Sequence, residues 1–369
     1  MLDVSVTPVF ITIQTEQCFT TNKLVNFTMP EDSNSAMNGT HPTSCFSNPA
    51  AVKIGRTFAY CMIFIVSLAG NTLIGIIVYK TKAMRTSTNF LLVNMAMSDL
   101  LLPIFLFPPI ITGLHVDSWL VGGPLGQALC KLHVFFSNVS TNVSIQSLVL
   151  ITLDRFGAVV FPLRSPLISP KLCLFFIAAT WIIAMAIQSP YLFAVRLVED
   201  SGTLICARRW NEAFGDSSSF VNYGSAMFVI FFCMPLVLMA VLYFIIVLKV
   251  KSQTTLGEQS VSAAQQRRQK RERNVLKLAI AIVLSFTVCW MPFTILTLLG
   301  KVPCGTIHYF VIARILASAN CAINPCICLI LSGSYRRGLK SLLNCCVALQ
   351  TSNQVAPIGS QSNPSIYSE

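Results

Sequence analysis

Four groups of side chains sit in stretches of this chain otherwise suited only to hydrocarbon: Asp99, the pair Asp154-Arg155, Trp290-Met-Pro292 and Asn324-Pro325. Each carries a definite chemistry. An isolated carboxylate such as Asp99 needs a proton or a cation in an apolar helix, because an uncompensated buried charge is costly. Adjacent Asp154 and Arg155 can form a local ion pair that restrains the arginine. A proline removes one backbone hydrogen bond and kinks an apolar helix, so Pro108 and Pro109, Pro190, Pro235, Pro292 and Pro325 mark hinges. Trp290 and Asn324 put a bulky or polar side chain beside two of them. Polar groups at bilayer depth cost roughly 2.5–3.5 kcal/mol each on insertion scales, so their presence at fixed places is a functional signature.

The elements that must hold these groups are long apolar runs. The 369 residues are 54% hydrophobic and 11% charged, which does not suit a water-soluble domain of that length. Seven spans stand out, at 57–79, 89–114, 127–155, 172–195, 221–248, 275–300 and 307–331. Each is near or above the ~20 residues needed to cross a ~30 Å hydrocarbon core, and lipid requires them to be helices. The expected fold is an all-α membrane protein, a seven-transmembrane helix bundle with a short amphipathic eighth helix. It divides into an extracellular glycosylated tail at 1–53, a bundle at 54–332, the amphipathic helix at 333–346 and a cytoplasmic tail at 347–369.

Charge sets the orientation. Lys80, Lys82 and Arg85 follow the first span, Arg164 and Lys171 the third, Lys249 through Lys277 the fifth, and Arg336, Arg337 and Lys340 the seventh, so these segments are cytoplasmic. The opposite segments hold Asp3, Glu16, Glu31, Asp32, Asp117, Glu199, Asp200, Glu212 and Asp216, with sequons at Asn26 and Asn38 in the first. The net charge of +12 is largely this bias, which draws the inner face to anionic lipid and says nothing of nucleic acid. Residues 1–20 lack a basic segment and an unbroken apolar run, so the first span is expected to act as signal anchor. The tails at 1–52 and 347–369 are polar and expected to be disordered, and the loop 251–272, with Gln265-Gln-Arg-Arg-Gln-Lys-Arg-Glu272, is a helical extension or a basic loop.

Of fourteen cysteines, Cys18, Cys45, Cys130, Cys206 and Cys304 lie on the oxidising side. Cys130 opens the third span and Cys206 sits midway along the 196–220 loop, so a disulfide between them would pin that loop over the mouth of the bundle. Cys18, Cys45 and Cys304 leave room for at most one further pair. Cys345-Cys346 follow the basic amphipathic stretch Ser334 to Leu343, which is the setting of inner-leaflet palmitoylation.

From about residue 55 to 346 the chain resembles the rhodopsin-like G-protein-coupled receptors, most closely the neuropeptide receptor group. The resemblance rests on Gly70-Asn71, Asn94-Met-Ala-Met-Ser-Asp99, Leu153-Asp-Arg-Phe156, Trp181 and Pro190, Pro235 with Tyr243, Phe286-Thr-Val-Cys-Trp-Met-Pro292 and Asn320-Cys-Ala-Ile-Asn324-Pro325-Cys-Ile-Cys328, in order. It implies that Asp99, Ser144, Asn320 and Asn324, near Asn71, hold a sodium ion at rest. It also implies that Asp154, Arg155, Phe156, Tyr243, Trp290, Pro292, Asn324, Pro325 and Cys328 carry activation and coupling to a heterotrimeric G protein. Two residues depart from the pattern. Phe156 stands for a tyrosine that packs on the following loop, and Cys328 stands for a tyrosine that swings inward toward the position of Tyr243, which a thiol cannot reach.

Ser137 stands where receptors for amines carry aspartate, and Ser318 where opsins carry the retinal lysine, so neither ligand fits. The implied pocket lining is His115, Ser137, Thr141, Trp290, Phe293, Thr297, Arg314 and Ser318. Arg314 suits an anionic ligand group or a structural salt bridge. The charged loop with Glu199, Asp200, Arg208, Arg209 and Glu212 suits a peptide, and Val195-Arg-Leu-Val198 with Thr203-Leu-Ile205 resembles the strand hairpin of neuropeptide receptors. The expected function is a plasma-membrane receptor for an extracellular peptide. A carboxylate-bearing lipid or metabolite is the alternative ligand, and a seven-span channel or transporter the alternative class. No internal repeat supports a transporter. No nucleophile-base constellation or metal-ligand cluster stands out, and His41, His115, His133 and His308 are scattered, so neither an enzyme nor a cofactor beyond sodium is expected.

Overall fold

The computed structural model describes residues 49–161, 168–215, 218–255, 263–298 and 307–354. Among these residues 7 helices are long and apolar enough to cross a membrane. They are α1 (Pro49–Lys80), α2 (Ser87–Gly113), α3 (Gly123–Val160), α4 (Pro170–Gln188, then Pro190–Ala194), α5 (Phe220–Phe228, a wide turn Val229–Cys233, then Met234–Thr255), α6 (Ala263–Leu298) and α7 (Ile307–Leu331). An eighth helix, α8 (Gly333–Gln354), follows after one residue.

Helix starts follow from capping chemistry. Thr86, Ser169 and Ser219 sit in extended conformation before α2, α4 and α5, and each hydroxyl accepts from the backbone N–H three residues on. Several ends differ from the sequence expectation. α1 begins at Pro49, inside the segment assigned to the outer tail, and α8 runs to Gln354 rather than 346. The inner basic segment is helical at both described ends, through Thr255 and from Ala263, in keeping with the helical-extension alternative. Apolar periodicity does not register such polar extensions, because they leave the hydrocarbon and gain nothing from burying a face.

Pro292 and Pro325 lie inside α6 and α7, whose helices run on through them without interruption. In α2 and α5 the irregularity falls one turn earlier. Wide π turns occupy Leu102–Leu106 and Val229–Cys233, upstream of Pro108 and Pro109 and of Pro235. A proline ring collides with the carbonyl four residues before it, so the preceding turn absorbs the misfit.

Packing requires small residues where helices meet closely. A Cβ at Gly70 of α1 would lie 2.6 Å from the Pro325 ring of α7, and one at Gly338 of α8 would lie 2.5 Å from Ile77 of α1. α2, α3 and α4 are joined by a buried polar knot: Trp181 Nε1 donates to Asn94 Oδ1 at 2.8 Å, and Asn94 Nδ2 donates to Ser147 Oγ at 2.9 Å. The outward faces carry Phe58, Phe175, Ile182 and Phe244 exposed, as a lipid-facing surface demands.

Between α4 and α5, β1 (Val195–Asp200) pairs antiparallel with β2 (Thr203–Arg208), with Leu197 opposite Cys206. Ser201 at φ 51° and Gly202 at φ 79° close the hairpin as a two-residue turn that needs positive φ at both positions. The expected hairpin is therefore present.

Candidate functional site

The hairpin is tied to the head of α3 by a disulfide between Cys130 and Cys206, whose Cα atoms are 5.6 Å apart. Cys18, Cys45 and Cys304 lie outside the described residues, as do the sequons at Asn26 and Asn38. Beyond the disulfide, Arg208 lays its guanidinium 3.4 Å from the Phe220 ring centroid at the start of α5. Burial pulls this guanidinium below its ordinary range, with Tyr191 opposing. Beside it Tyr191, Phe214, Phe220 and Tyr223 each meet the Trp210 ring, tilted or edge-on, so α4, the segment after the hairpin and α5 share one aromatic unit.

Two cavities lie inside this outer end. One, of about 280 Å³, is walled by α2, the segment 114–121 and Cys206 itself, with Arg56, Asp117, Trp119 and His133 among its lining. The other, of about 100 Å³, is deeper and lies between α3, α5, α6 and α7. Ser137, Thr141, Trp290, Phe293, Arg314 and Ser318 line it together. His115 does not: it is exposed and hydrogen-bonds Thr57 Oγ1 of α1 at 2.9 Å. The side chain of Thr297 lies outside the described residues. His133, Phe228 and Phe232 are among the further residues that line it, and sequence reasoning missed them. Their signal was weak, since the phenylalanines belong to an apolar run whose lipid and cavity faces have the same composition.

Below the deep cavity, Trp290 stacks on Phe286 with ring centroids 6.0 Å apart, and Phe232 packs edge-on to it at 6.1 Å. Under that layer Asp99 is 1% exposed. Its carboxylate accepts from Ser144 Oγ at 3.0 Å and from Asn324 Nδ2 at 2.9 Å. Ser98 Oγ shares a hydrogen bond with Ser144 Oγ at 2.9 Å. Asn320 and Asn324 each keep a buried amide oxygen with no partner among the described residues. Asn71 turns to other groups instead, donating to Ser67 and, at 2.9 Å, to the Cys321 carbonyl. Helices α2, α3 and α7 thus converge on one carboxylate with hydroxyl and amide oxygens about it.

At the inner end Arg155 forms the expected ion pair with Asp154, at 2.6 Å, and a second one with Glu272 of α6, at 2.7 Å. Thr88 of α2 donates to Asp154 Oδ2 at 2.7 Å and accepts from Arg155 Nη2 at 2.9 Å. These groups line a cavity of about 950 Å³ between α2, α3, α6 and α8. Glu272 and Thr88 were not anticipated; the one hint was an acid inside the basic run that opens α6. Phe156 meets Phe161 edge-on at 6.3 Å, and Tyr243 Oη accepts from Thr152 Oγ1 at 3.3 Å. Cys328 is 2% exposed in the same apolar cluster as Tyr335 of α8, which is 1% exposed and reaches Asn89 Oδ1 at 3.4 Å. Cys345 and Cys346 fall within α8, and their side chains are outside the described residues.

A seven-helix bundle with a disulfide-pinned outer hairpin and a restrained arginine at its inner end is the build of a signalling receptor. The sequence profile "7 transmembrane receptor (rhodopsin family)" matches residues 70–327, and the chain belongs to that family. It is therefore a multi-pass protein of the plasma membrane and not an enzyme. It is similar to a QRFP-like peptide receptor of Branchiostoma floridae, 27% identical over 84% of this chain and 82% of that one. It is 30% identical to neuropeptide FF receptor 1 of Homo sapiens, over 89% of this chain and 77% of that protein. The allatostatin-A receptor of Bombyx mori is also 30% identical, over 76% of this chain and 77% of its own.

Proposed function

We propose that the chain binds an extracellular peptide in the cavities under its hairpin and answers by activating a heterotrimeric G protein at the inner end. The observation that carries this reading is the hairpin itself, held to α3 so that Cys206 forms part of the outer cavity's wall. A rigid loop roofing a cavity suits a ligand long enough to touch both. The relatives named for peptides support the same class. Cells expressing the chain should give a calcium or cyclic-nucleotide response to a member of a short-peptide library, and Arg155→Ala should silence it with surface expression intact. Ion current or solute uptake without any G-protein response would overturn the reading. Arg314, 7% exposed in the deep cavity, favours a second reading, a carboxylate-bearing lipid or metabolite, which should then activate where peptides do not.

We infer that Asp99, Ser144, Asn320 and Asn324 hold a sodium ion. One carboxylate, a hydroxyl and two amide oxygens without a partner among the described residues are the hard donors such a cation takes. Bound there, the ion would supply positive charge opposite Asp99 and favour the state in which α2, α3 and α7 converge. Asp99→Asn should abolish any sodium effect on agonist affinity, and an unchanged sodium response in that variant rules the site out. We also assign N-glycans to Asn26 and Asn38 and palmitate to Cys345 and Cys346, to be read as mass shifts lost on glycosidase and hydroxylamine treatment respectively.

A further inference from the structure

Lys131 takes no part in either outer cavity or in the inner cluster. It lies eight residues after Gly123, about 12 Å along the axis of α3 within the third span, and it is half-buried. No hydrogen bond or ion pair reaches it among the described residues. An ammonium inside an apolar span is costly, so it is kept where an anion or water can meet it. Lys131 opens into a groove of about 370 Å³ at the outer rim, walled by α3, the end of α4, β1 and the short helix Trp210–Phe214. Arg196 of β1 and Glu212 of the short helix line the groove with it. Glu212 stands 3.7 Å from Arg196 and 3.7 Å from Arg209, so it steadies those two guanidiniums and leaves Lys131 unanswered. The walls are fixed to one another. Gln127 of α3 donates to the Val195 carbonyl at 3.3 Å and accepts from the Leu197 N–H at 2.8 Å, and the Arg209 N–H donates to the Ala194 carbonyl at the end of α4 at 2.7 Å.

Lys131, Arg196 and Arg209 against Glu212 leave a surplus of positive charge, which an anion complements. The groove also has an apolar side. Phe193, in the last turn of the fourth span (Lys171–Ala194), lines it while 63% exposed. A large ring exposed at the end of a span sits where hydrocarbon meets the headgroups. The occupant must therefore carry an anion at the level of the end of α4 and an apolar chain beside it. A free anion or an acidic peptide side chain answers the charges and leaves Phe193 bare. A neutral lipid covers Phe193 and leaves Lys131 without an anion. A phosphate ester on acyl chains answers both. We propose that this groove binds the phosphate of an outer-leaflet phospholipid through Lys131 and Arg196, with an acyl chain along Phe193. A lipid held there bridges α3 to the hairpin from outside the bundle, apart from both ligand cavities, so the site stands independently of the peptide reading.

The full-length receptor, purified in detergent and stripped of lipid, is titrated with dioleoylphosphatidylcholine, with dioleoylglycerol, which has the same chains and no phosphate, and with inorganic phosphate. Binding is read as a rise in melting temperature. The phospholipid should act at concentrations lower by about tenfold or more than the diacylglycerol, the least that one charge-assisted hydrogen bond supplies. Lys131→Gln with Arg196→Gln should remove that difference, and an unchanged response to dioleoylglycerol shows that the variant is folded. Lys131→Arg keeps the charge and should keep the difference. Phe193→Ala should weaken both lipids and leave their ratio alone. Equal action of the two lipids on the unaltered receptor overturns the proposal with no variant needed, and so does a ratio that survives the loss of both charged side chains. Inorganic phosphate acting as well as the phospholipid makes the groove a site for free anions and overturns the lipid assignment. A response to none of the three overturns the site altogether.

Discussion

At the inner end of the bundle Arg155 is answered twice within the chain, by Asp154 at 2.6 Å and Glu272 at 2.7 Å, whereas at the outer end Trp290 keeps a buried indole N–H with no partner among the described residues. Both terminal nitrogens of the Arg155 guanidinium are engaged, and its Nε is buried with no partner among the described residues. The inner cluster ties α3 to α2 through Thr88 and to α6 through Glu272, so it defines a resting arrangement in which those helix ends stay together. The deep cavity, which Trp290 lines, thus presents a donor that a ligand can complete. A receptor needs this asymmetry: binding energy can move the bundle only if the ligand satisfies groups that the resting state does not.

The outer end breaks most completely at its disulfide. Cys206→Ser frees the hairpin from α3, and removing a native disulfide typically costs about 2–5 kcal/mol. Loss of agonist binding and a lower melting temperature are the expected outcomes, measured on purified receptor. Retained affinity would mean that the aromatic packing of Arg208, Phe220 and Trp210 positions the hairpin without the covalent link.

The inner end should give a smaller response. Glu272→Gln removes one of the two carboxylates on Arg155 and leaves Asp154 in place. The Glu272 side chain is 40% exposed, so its pairing is discounted toward the surface range of about 0.2–1 kcal/mol. Basal signalling should therefore rise by no more than several-fold, with agonist efficacy preserved. Unchanged basal activity at equal surface expression would show that this link does not hold the resting state.

The two ends were also unequally legible in the sequence. Asp99, Arg155, Pro292 and Pro325 could be found from residue type alone, because a charge or proline in an apolar run has few structural uses. Glu272 could not, since an acid among Arg and Lys in a polar segment looks like solvated surface, and only the fold brings it to a partner 117 residues away. His115 misled for a related reason. Its place near the outer end of α2 is compatible with the cavity, but the helix turns it toward Thr57 of α1. Phe228 and Phe232 were hidden because composition does not say which face of α5 meets lipid and which meets α3 and α6. The upstream wide turn in α5 adds to this, shifting the phase of every residue before Val229 relative to a regular helix.

Cys328 gives the finest probe of the contrast, because it lies in the inner core and departs from the pattern that made that core legible. Packed against the same cluster as Tyr335, it is 2% exposed, so the resting arrangement has no room for a ring in place of the thiol. Cys328→Tyr should thus strain the resting state, and overpacking a filled core costs about 1–3 kcal/mol. The new hydroxyl could in turn reach toward Tyr243 once α7 moves inward, and one net hydrogen bond contributes about 0.5–1.5 kcal/mol. Both effects act in the same direction on the two-state balance, raising basal signalling while lowering the melting temperature of the ligand-free receptor. Cys328→Phe separates them, since it brings the ring without the hydroxyl and should raise basal activity by less than the tyrosine insertion does. If Cys328→Tyr is expressed at the surface with unaltered basal activity and potency, the active state of this chain is not short of a contact at that position, and a residue other than 328 supplies it.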